Sequence, residues 1–232
     1  MRLVYNRVQR LEMFYQVRVV IFLLLLSFFP SALLLAQNGI YTIEPPSDSQ
    51  QLLSQQIIEA SKGLVGASSL VVNGKRFSFD CTGGVLASYY AAGIDLWPLM
   101  EPYNGNGVAR LYKAMKAKGW NKRTAYPQPG DLIFWDNTYD KNANGIYDDY
   151  LTHVGLVISS DEKGNIEYFH HHIMLGFVIE RMNLLEPDSY TQTHDGVLTV
   201  VNAPLRARGN SQSPWLAGQL FRTFGQAWRI VE

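Results

Sequence analysis

Residues 77–90, FSFDCTGGVLASYY, contain the only cysteine of the 232-residue chain, Cys81. The apolar residues that follow it recur at helical spacing, which predicts a helix that begins at Cys81 and ends at Gly93. Those apolar residues are Val85, Leu86, Tyr89 and Tyr90. The two glycines near the helix start lower its intrinsic helicity but allow another backbone to approach closely.

A cysteine at the start of a helix lies where unpaired backbone N–H groups and the helix dipole favour negative charge. With an imidazole nearby, this environment predicts a lowered thiol pKa and a nucleophilic Cys81. The alternative is that Cys81 is a small apolar residue of the core.

The imidazole is expected from His153, which begins the apolar stretch LTHVGLVIS. The run YFHHH ends in His170, His171 and His172, and strand alternation places Ile166, Tyr168, His170 and His172 on one face. If Ile166 and Tyr168 face the core, His170 orients His153, although the sequence leaves the choice among the three histidines open. Adjacent strand residues point to opposite faces, so the run offers at most two ligands on one side and a zinc site is not favoured.

The order of the remaining patterns predicts an α+β domain with N-terminal helices packed on an antiparallel sheet. Helical spacing recurs in SQQLLSQQIIEASKGL and GVARLYKAMKAKG, and short strand-like segments begin after Pro127. Those segments are GDLIFW, HVGLVISS, NIEYFHHH, FVIERMNL and GVLTVVNA. The tail WLAGQLFRTFGQAWRIVE is expected to be a last element that covers the sheet, with Leu216, Leu220 and Phe224 as its apolar stripe.

Residues 1–36 combine arginines with an apolar run and predict a signal peptide or a membrane anchor that engages the membrane during export. Translation from Met1 or from Met13 is compatible with this pattern. Residues 37–50 are a predicted linker, and residues 51–232 the folded domain. We therefore expect an exported protein of the periplasm or cell envelope, or a secreted one. A lone cysteine forms no intrachain disulfide there, and the balance of 20 basic and 20 acidic residues gives no sign of a nucleic-acid partner.

The segments FDCTGGVLASYYAAGIDL, PQPGDLIFW and LTHVGLVIS, followed by an aromatic and histidine strand, resemble the NlpC-type cell-wall cysteine peptidases of the papain-like superfamily. The resemblance implies a papain-like fold and an endopeptidase that cleaves an amide bond in peptidoglycan stem peptides without a cofactor. It implies Cys81 as nucleophile, His153 as general base and His170 as the third catalytic residue. It also implies Asp80 as a cap and the Cys81 N–H as an oxyanion donor. The alternatives are an amidase or transacylase of the same superfamily, and a non-catalytic cell-envelope binding module.

The chain departs from the family pattern at two places. The stretch LVGASSLVVNGKRFSF before Cys81 lacks the tyrosine that family members often carry, and residues 136–151 form an insertion before His153.

The insertion contains oxygen ligands at the spacing of a calcium loop. The expected ligands are Asp140, Asn142, Asn144, Ile146 through its carbonyl, and Asp148. Gly145 stands at the sharp bend, whereas Leu151 occupies the place of the usual closing glutamate, for which Asp149 or Asp136 could substitute. We expect any calcium here to be structural, and the alternative is a solvated acidic turn.

Overall fold

The computed structural model describes residues 47–209 and 213–231. The predicted signal peptide or anchor at 1–36 and positions 37–46 of the predicted linker lie outside the described residues. In the part of the chain that is described, no helix has the length and apolar character needed to cross a membrane. The helices are α1 (Asp48–Gly63), α2 (Cys81–Ala91), α3 (Trp97–Met100), α4 (Gly107–Ala117), α5 (Ala217–Leu220) and a 3-10 helix (Ala227–Val231). The strands are β1 (Val71–Val72), β2 (Lys75–Arg76), β3 (Asn121–Lys122), β4 (Leu132–Trp135), β5 (His153–Ser160), β6 (Asn165–His172), β7 (Gly176–Asn183), β8 (Thr191–His194), β9 (Val197–Val200) and β10 (Phe221–Gly225).

Local sequence features determine where α1 begins and how β1 and β2 pair. Ser47 caps α1 in a capping box with Gln50, so the helix begins inside the predicted linker. The Asn-Gly turn between β1 and β2 has positive φ at both residues, 48° at Asn73 and 77° at Gly74, as a tight hairpin requires. This hairpin leads directly into α2.

The main sheet has six antiparallel strands in the order β3-β10-β4-β5-β6-β7. Strand alternation gives it two buried faces: Leu132 and Phe134 of β4 pack in the core shared with the helices, and Ile133 and Trp135 in a second core. The predicted α+β, papain-like fold is confirmed.

One expectation about the C-terminal half was wrong. The tail does not cover the sheet as one element, because β10 is inserted into the sheet between β3 and β4 and only the short α5 packs on the second core. Its apolar residues are buried, but their spacing fits a strand as well as a helix over so short a stretch. The predicted strand GVLTVVNA does form as β9, yet it pairs with β8 in a separate hairpin.

Candidate active site

Cys81 is the first residue of α2, where Asp80 caps the helix by accepting a hydrogen bond from the Gly83 N–H at 2.7 Å. The two glycines, Gly83 and Gly84, allow the first turn of α2 to pack closely against neighbouring residues. A Cβ at Gly83 would collide with the Ser78 carbonyl oxygen, and one at Gly84 with the Phe177 ring. Both glycines are therefore needed to place the cysteine against the sheet.

The pKa of the Cys81 thiol is raised from 9.0 to about 11, chiefly because burial disfavours the thiolate. The negative charge of Asp80 also raises this pKa, whereas the Val154 N–H and the Thr82 hydroxyl and N–H lower it. The prediction of a lowered pKa was wrong, because desolvation outweighs the helix start. In the free protein the nucleophile candidate is a protonated thiol at neutral pH.

His153 begins β5 and packs beside the Trp135 ring, with 5.6 Å between the ring centroids. Its Nε2 lies 2.9 Å from Nδ1 of His170 on the neighbouring strand β6. Burial first, and the adjacent histidines second, hold the pKa of His153 well below its usual value. His153 is therefore a neutral imidazole that can accept a proton.

The hydrogen-bonded chain continues beyond His170 to a residue that sequence reasoning missed. His170 Nε2 lies 2.9 Å from Glu180 Oε2 on β7, and the Tyr168 hydroxyl donates to the same oxygen at 3.4 Å. Glu180 lies two residues before Met182 on β7, so the two side chains point to the same face of the sheet. Met182 is buried there in the second core. An acidic residue at an inward-facing strand position was the available signal.

These bonds define the tautomers of both imidazoles. An ionised Glu180 only accepts hydrogen bonds, so His170 carries its proton on Nε2 and offers the lone pair of Nδ1. His153 then donates its Nε2–H to that lone pair, and its own Nδ1 keeps a free lone pair. Burial lowers the pKa of His170, although Glu180 opposes this, and so keeps the neutral form in place.

The other two histidines of the run make different contacts. His171 lies on the opposite face of β6, edge-on to Phe79 and Phe177 at centroid distances of 5.2 and 5.0 Å. His172 Nδ1 accepts hydrogen bonds from the backbone N–H groups of Met174 and Leu175. Of the three candidates, His170 is the one with a hydrogen bond to His153.

Cys81, His153 and His170 line one cleft of about 800 Å³. Tyr139 and Tyr147 of the insertion line it as well. Burial is the main cause that raises the pKa of the Tyr139 phenol. The insertion thus supplies tyrosines to a cleft whose expected upstream tyrosine is missing.

The predicted calcium ligands lie on the exposed insertion. Asp140 accepts hydrogen bonds from the N–H groups of Asn144 and Gly145 at 3.1 and 2.7 Å. The side-chain oxygens of Asn142 and Asn144 likewise accept from loop N–H groups, and Asp149 Oδ2 accepts from the Lys141 N–H at 2.7 Å. Among the described residues, no three His, Cys, Asp or Glu side chains form a group that could hold a metal. The predicted set instead combines the carboxylates of Asp140 and Asp148 with amide and carbonyl oxygens.

The comparisons with known proteins bear on residues 72–172, which match the family model of the CHAP domain. No curated protein and no solved structure matched the chain. The matched segment contains Cys81, His153 and His170, whereas Glu180 lies beyond its end. The match is to the CHAP family rather than to the NlpC-type family named by the resemblance. Residues 72–172 are thus similar to a cysteine-dependent amidase or peptidase domain of the papain-like class.

Proposed function

We propose that this protein is a cysteine hydrolase that cleaves an amide bond in peptidoglycan stem peptides. The observation that carries the proposal is the bonded chain from Glu180 through His170 to His153, which opens into the same cleft as Cys81. The similarity to the CHAP domain supports a peptidoglycan substrate. Cleavage within the peptide, as by an endopeptidase, is the finer form of the proposal.

In the first half of the reaction, Cys81 Sγ attacks the amide carbonyl carbon while its proton moves to Nδ1 of His153. Because the thiol pKa is about 11 and the His153 pKa is low, a separated thiolate and imidazolium would cost several kcal/mol in the free protein. We therefore propose that proton transfer and attack occur together. The Cys81 N–H, at the first position of α2, donates to the developing oxyanion.

In the second half, the His153 Nδ1–H protonates the leaving amine, the C–N bond breaks and a thioester remains on Cys81. His153 then takes a proton from water as the water attacks the thioester, and it returns that proton to the departing sulfur. The role of His170 is to keep Nδ1 of His153 pointing at the reaction, and that of Glu180 is to hold His170 in the tautomer that does so. None of these steps requires a cofactor.

The proposal is tested by the release of new amino groups and soluble muropeptides from purified peptidoglycan. Cys81→Ala and Cys81→Ser should abolish release while circular dichroism and melting temperature stay near those of the parent. Unchanged release by either variant would sink the proposal. The masses of the products from a defined muropeptide distinguish cleavage within the peptide from amidase or transacylase chemistry.

A non-catalytic cell-envelope binding module is the second candidate, and the raised thiol pKa is the observation that favours it. A poorly ionised thiol reacts slowly with alkylating agents whether or not it is a catalytic residue. Product formation therefore separates the two candidates. Binding of muropeptides by the parent protein without any bond cleavage is the result that the binding module predicts.

Export and calcium binding complete the proposed function. We propose that the chain acts in the periplasm or cell envelope, an assignment that rests on the composition of residues 1–36. Calcium in the insertion would be structural, because the loop runs directly into His153 and an ordered loop would hold the start of β5.

A further inference from the structure

Arg206 is the cationic side chain of the cleft that contains Cys81 and His153. It lies on a segment whose backbone is fixed to the rest of the fold. Pro204 and Leu216 form a β-bridge, and the Leu205 N–H donates to the Trp215 carbonyl at 2.9 Å. The Arg206 side chain therefore extends from a backbone whose position is held by these contacts.

Two contacts fix the orientation of the guanidinium. Its Nε donates to the Pro214 carbonyl oxygen at 2.7 Å, and its Cζ lies 3.8 Å from the centroid of the Tyr147 ring. Nη1 is shielded from solvent and has no hydrogen-bond acceptor among the described residues. A hydrogen-bond donor in that state costs free energy that an acceptor on a ligand would recover.

The charge of Arg206 is also uncompensated in the described part of the chain. The ion pairs found there do not include it. Of the described cleft residues, Asp80 carries the other formal charge, and its carboxylate already caps α2. Burial lowers the pKa of Arg206, but a guanidinium stays charged at neutral pH.

A planar guanidinium that lines a cleft can bind a carboxylate with paired hydrogen bonds, and the unpaired Nη1 of Arg206 is a donor that such a ligand would satisfy. We propose that Arg206 binds a free carboxylate of the substrate, so that the protein selects peptides in which that group is ionised over peptides in which it is a carboxamide. The inference rests on the proposed function for the identity of the substrate as a peptide. It adds a specificity-determining residue and a chemical requirement that neither the catalytic chain nor the domain match contains.

The test measures binding rather than turnover. The probes are synthetic stem peptides in which each non-reacting carboxylate is converted, one at a time, to a carboxamide. Their affinities are measured by calorimetry on the Cys81→Ala protein and on the same protein with Arg206→Gln or Arg206→Lys. Arg208→Gln is the matched control, because Arg208 lies two residues away, stacks over Trp215 and does not line the cleft.

We expect amidation at one position to weaken binding by about tenfold or more when Arg206 is present, as the loss of a charge-assisted hydrogen-bond pair does. Arg206→Gln should bind the acid and amide forms equally, Arg206→Lys should keep part of the preference, and Arg208→Gln should keep all of it. Absence of binding, or binding by the Arg206 protein that is indifferent to every amidation, overturns the inference. Failure of the parent protein to hydrolyse a peptide that it binds in this selective way counts against the proposed function alone.

Discussion

At the scale of single residues, burial favours the neutral forms of both Cys81 and His153. Burial raises the thiol pKa to about 11 and depresses the pKa of His153. The local signal of a helix start therefore does not decide the ionisation of the cysteine, because desolvation acts in the opposite direction and is larger. No local sequence pattern reports how deeply the sulfur is buried.

The neutral forms of Cys81 and His153 predict how alkylation of the thiol and enzymatic turnover depend on pH. The rate of alkylation of Cys81 by iodoacetamide should rise with a midpoint above the pKa of a model thiol, about 8.5. The acid limb of kcat/KM should lie below pH 6.5, since protonated His153 cannot accept the thiol proton and the pKa of His153 is lowered. An alkylation midpoint below neutral pH would instead reveal a preformed thiolate and imidazolium.

Glu180 offers a sharper test of the hydrogen-bonded chain. Glu180→Ala should lower kcat/KM by about 100-fold, because His170 loses the acceptor that fixes its tautomer. Glu180→Gln should lose less, since its amide oxygen can still accept that hydrogen bond. Nitrogen NMR shifts of the ring of His170 should show mixed tautomers in the alanine variant and one tautomer in the parent.

Glu167→Ala is the control for these variants, because Glu167 pairs with Arg181 on the exposed part of the same sheet region. It should leave both kcat/KM and the tautomer of His170 unchanged. A single, unaltered tautomer in Glu180→Ala would contradict the role given to Glu180.

At the scale of elements, how well the sequence predicted a segment depended on the length of its pattern. The bounds of β5 and β6 follow the apolar runs closely, and α2 begins at the predicted residue. The tail failed because four residues of helix followed by five of strand carry too few apolar positions to distinguish their periods. Glu180 was missed because its role depends on the pairing of β6 with β7, which a single strand does not encode.

The insertion is the element whose chemistry can be tested by metal addition. Its base is closed by hydrogen bonds from the Asn137 N–H to the Asp149 carbonyl and from the Leu151 N–H to Asp136. We expect calcium to raise the melting temperature and Asp140→Ala to remove that response, because ions that bind the native state stabilise it. A melting temperature that is indifferent to calcium and to chelator would count against the calcium site.

At the scale of the whole molecule, Asp131 links the segment before β4 to the C-terminal 3-10 helix. Its carboxylate accepts hydrogen bonds from Gln128 N–H and from Trp228 Nε1 at 2.9 and 2.8 Å, just before β4. Burial raises its pKa from 3.8 to about 6, although both hydrogen bonds lower it. Since the folded pKa exceeds the unfolded one, this group makes folding less favourable as pH rises from about 4 to 6.

Trp228→Phe should therefore destabilise the protein more at pH 8 than at pH 5. The variant removes a hydrogen bond to a carboxylate that is ionised above pH 6, and such bonds are worth about 1.5 to 3 kcal/mol. Urea unfolding at the two pH values measures the difference. Trp215→Phe is the control, since Trp215 packs against Tyr190 away from this carboxylate, and an equal loss at both pH values in Trp228→Phe would refute the prediction.

The most direct test of the central claim is the mass of the protein after an acid quench during turnover of a defined stem peptide. The account predicts an added mass equal to the acyl part of the substrate, located by fragmentation on Cys81 and absent from Cys81→Ala. Turnover of the peptide by Cys81→Ala, at the rate of the parent and without an adduct in either protein, would contradict it.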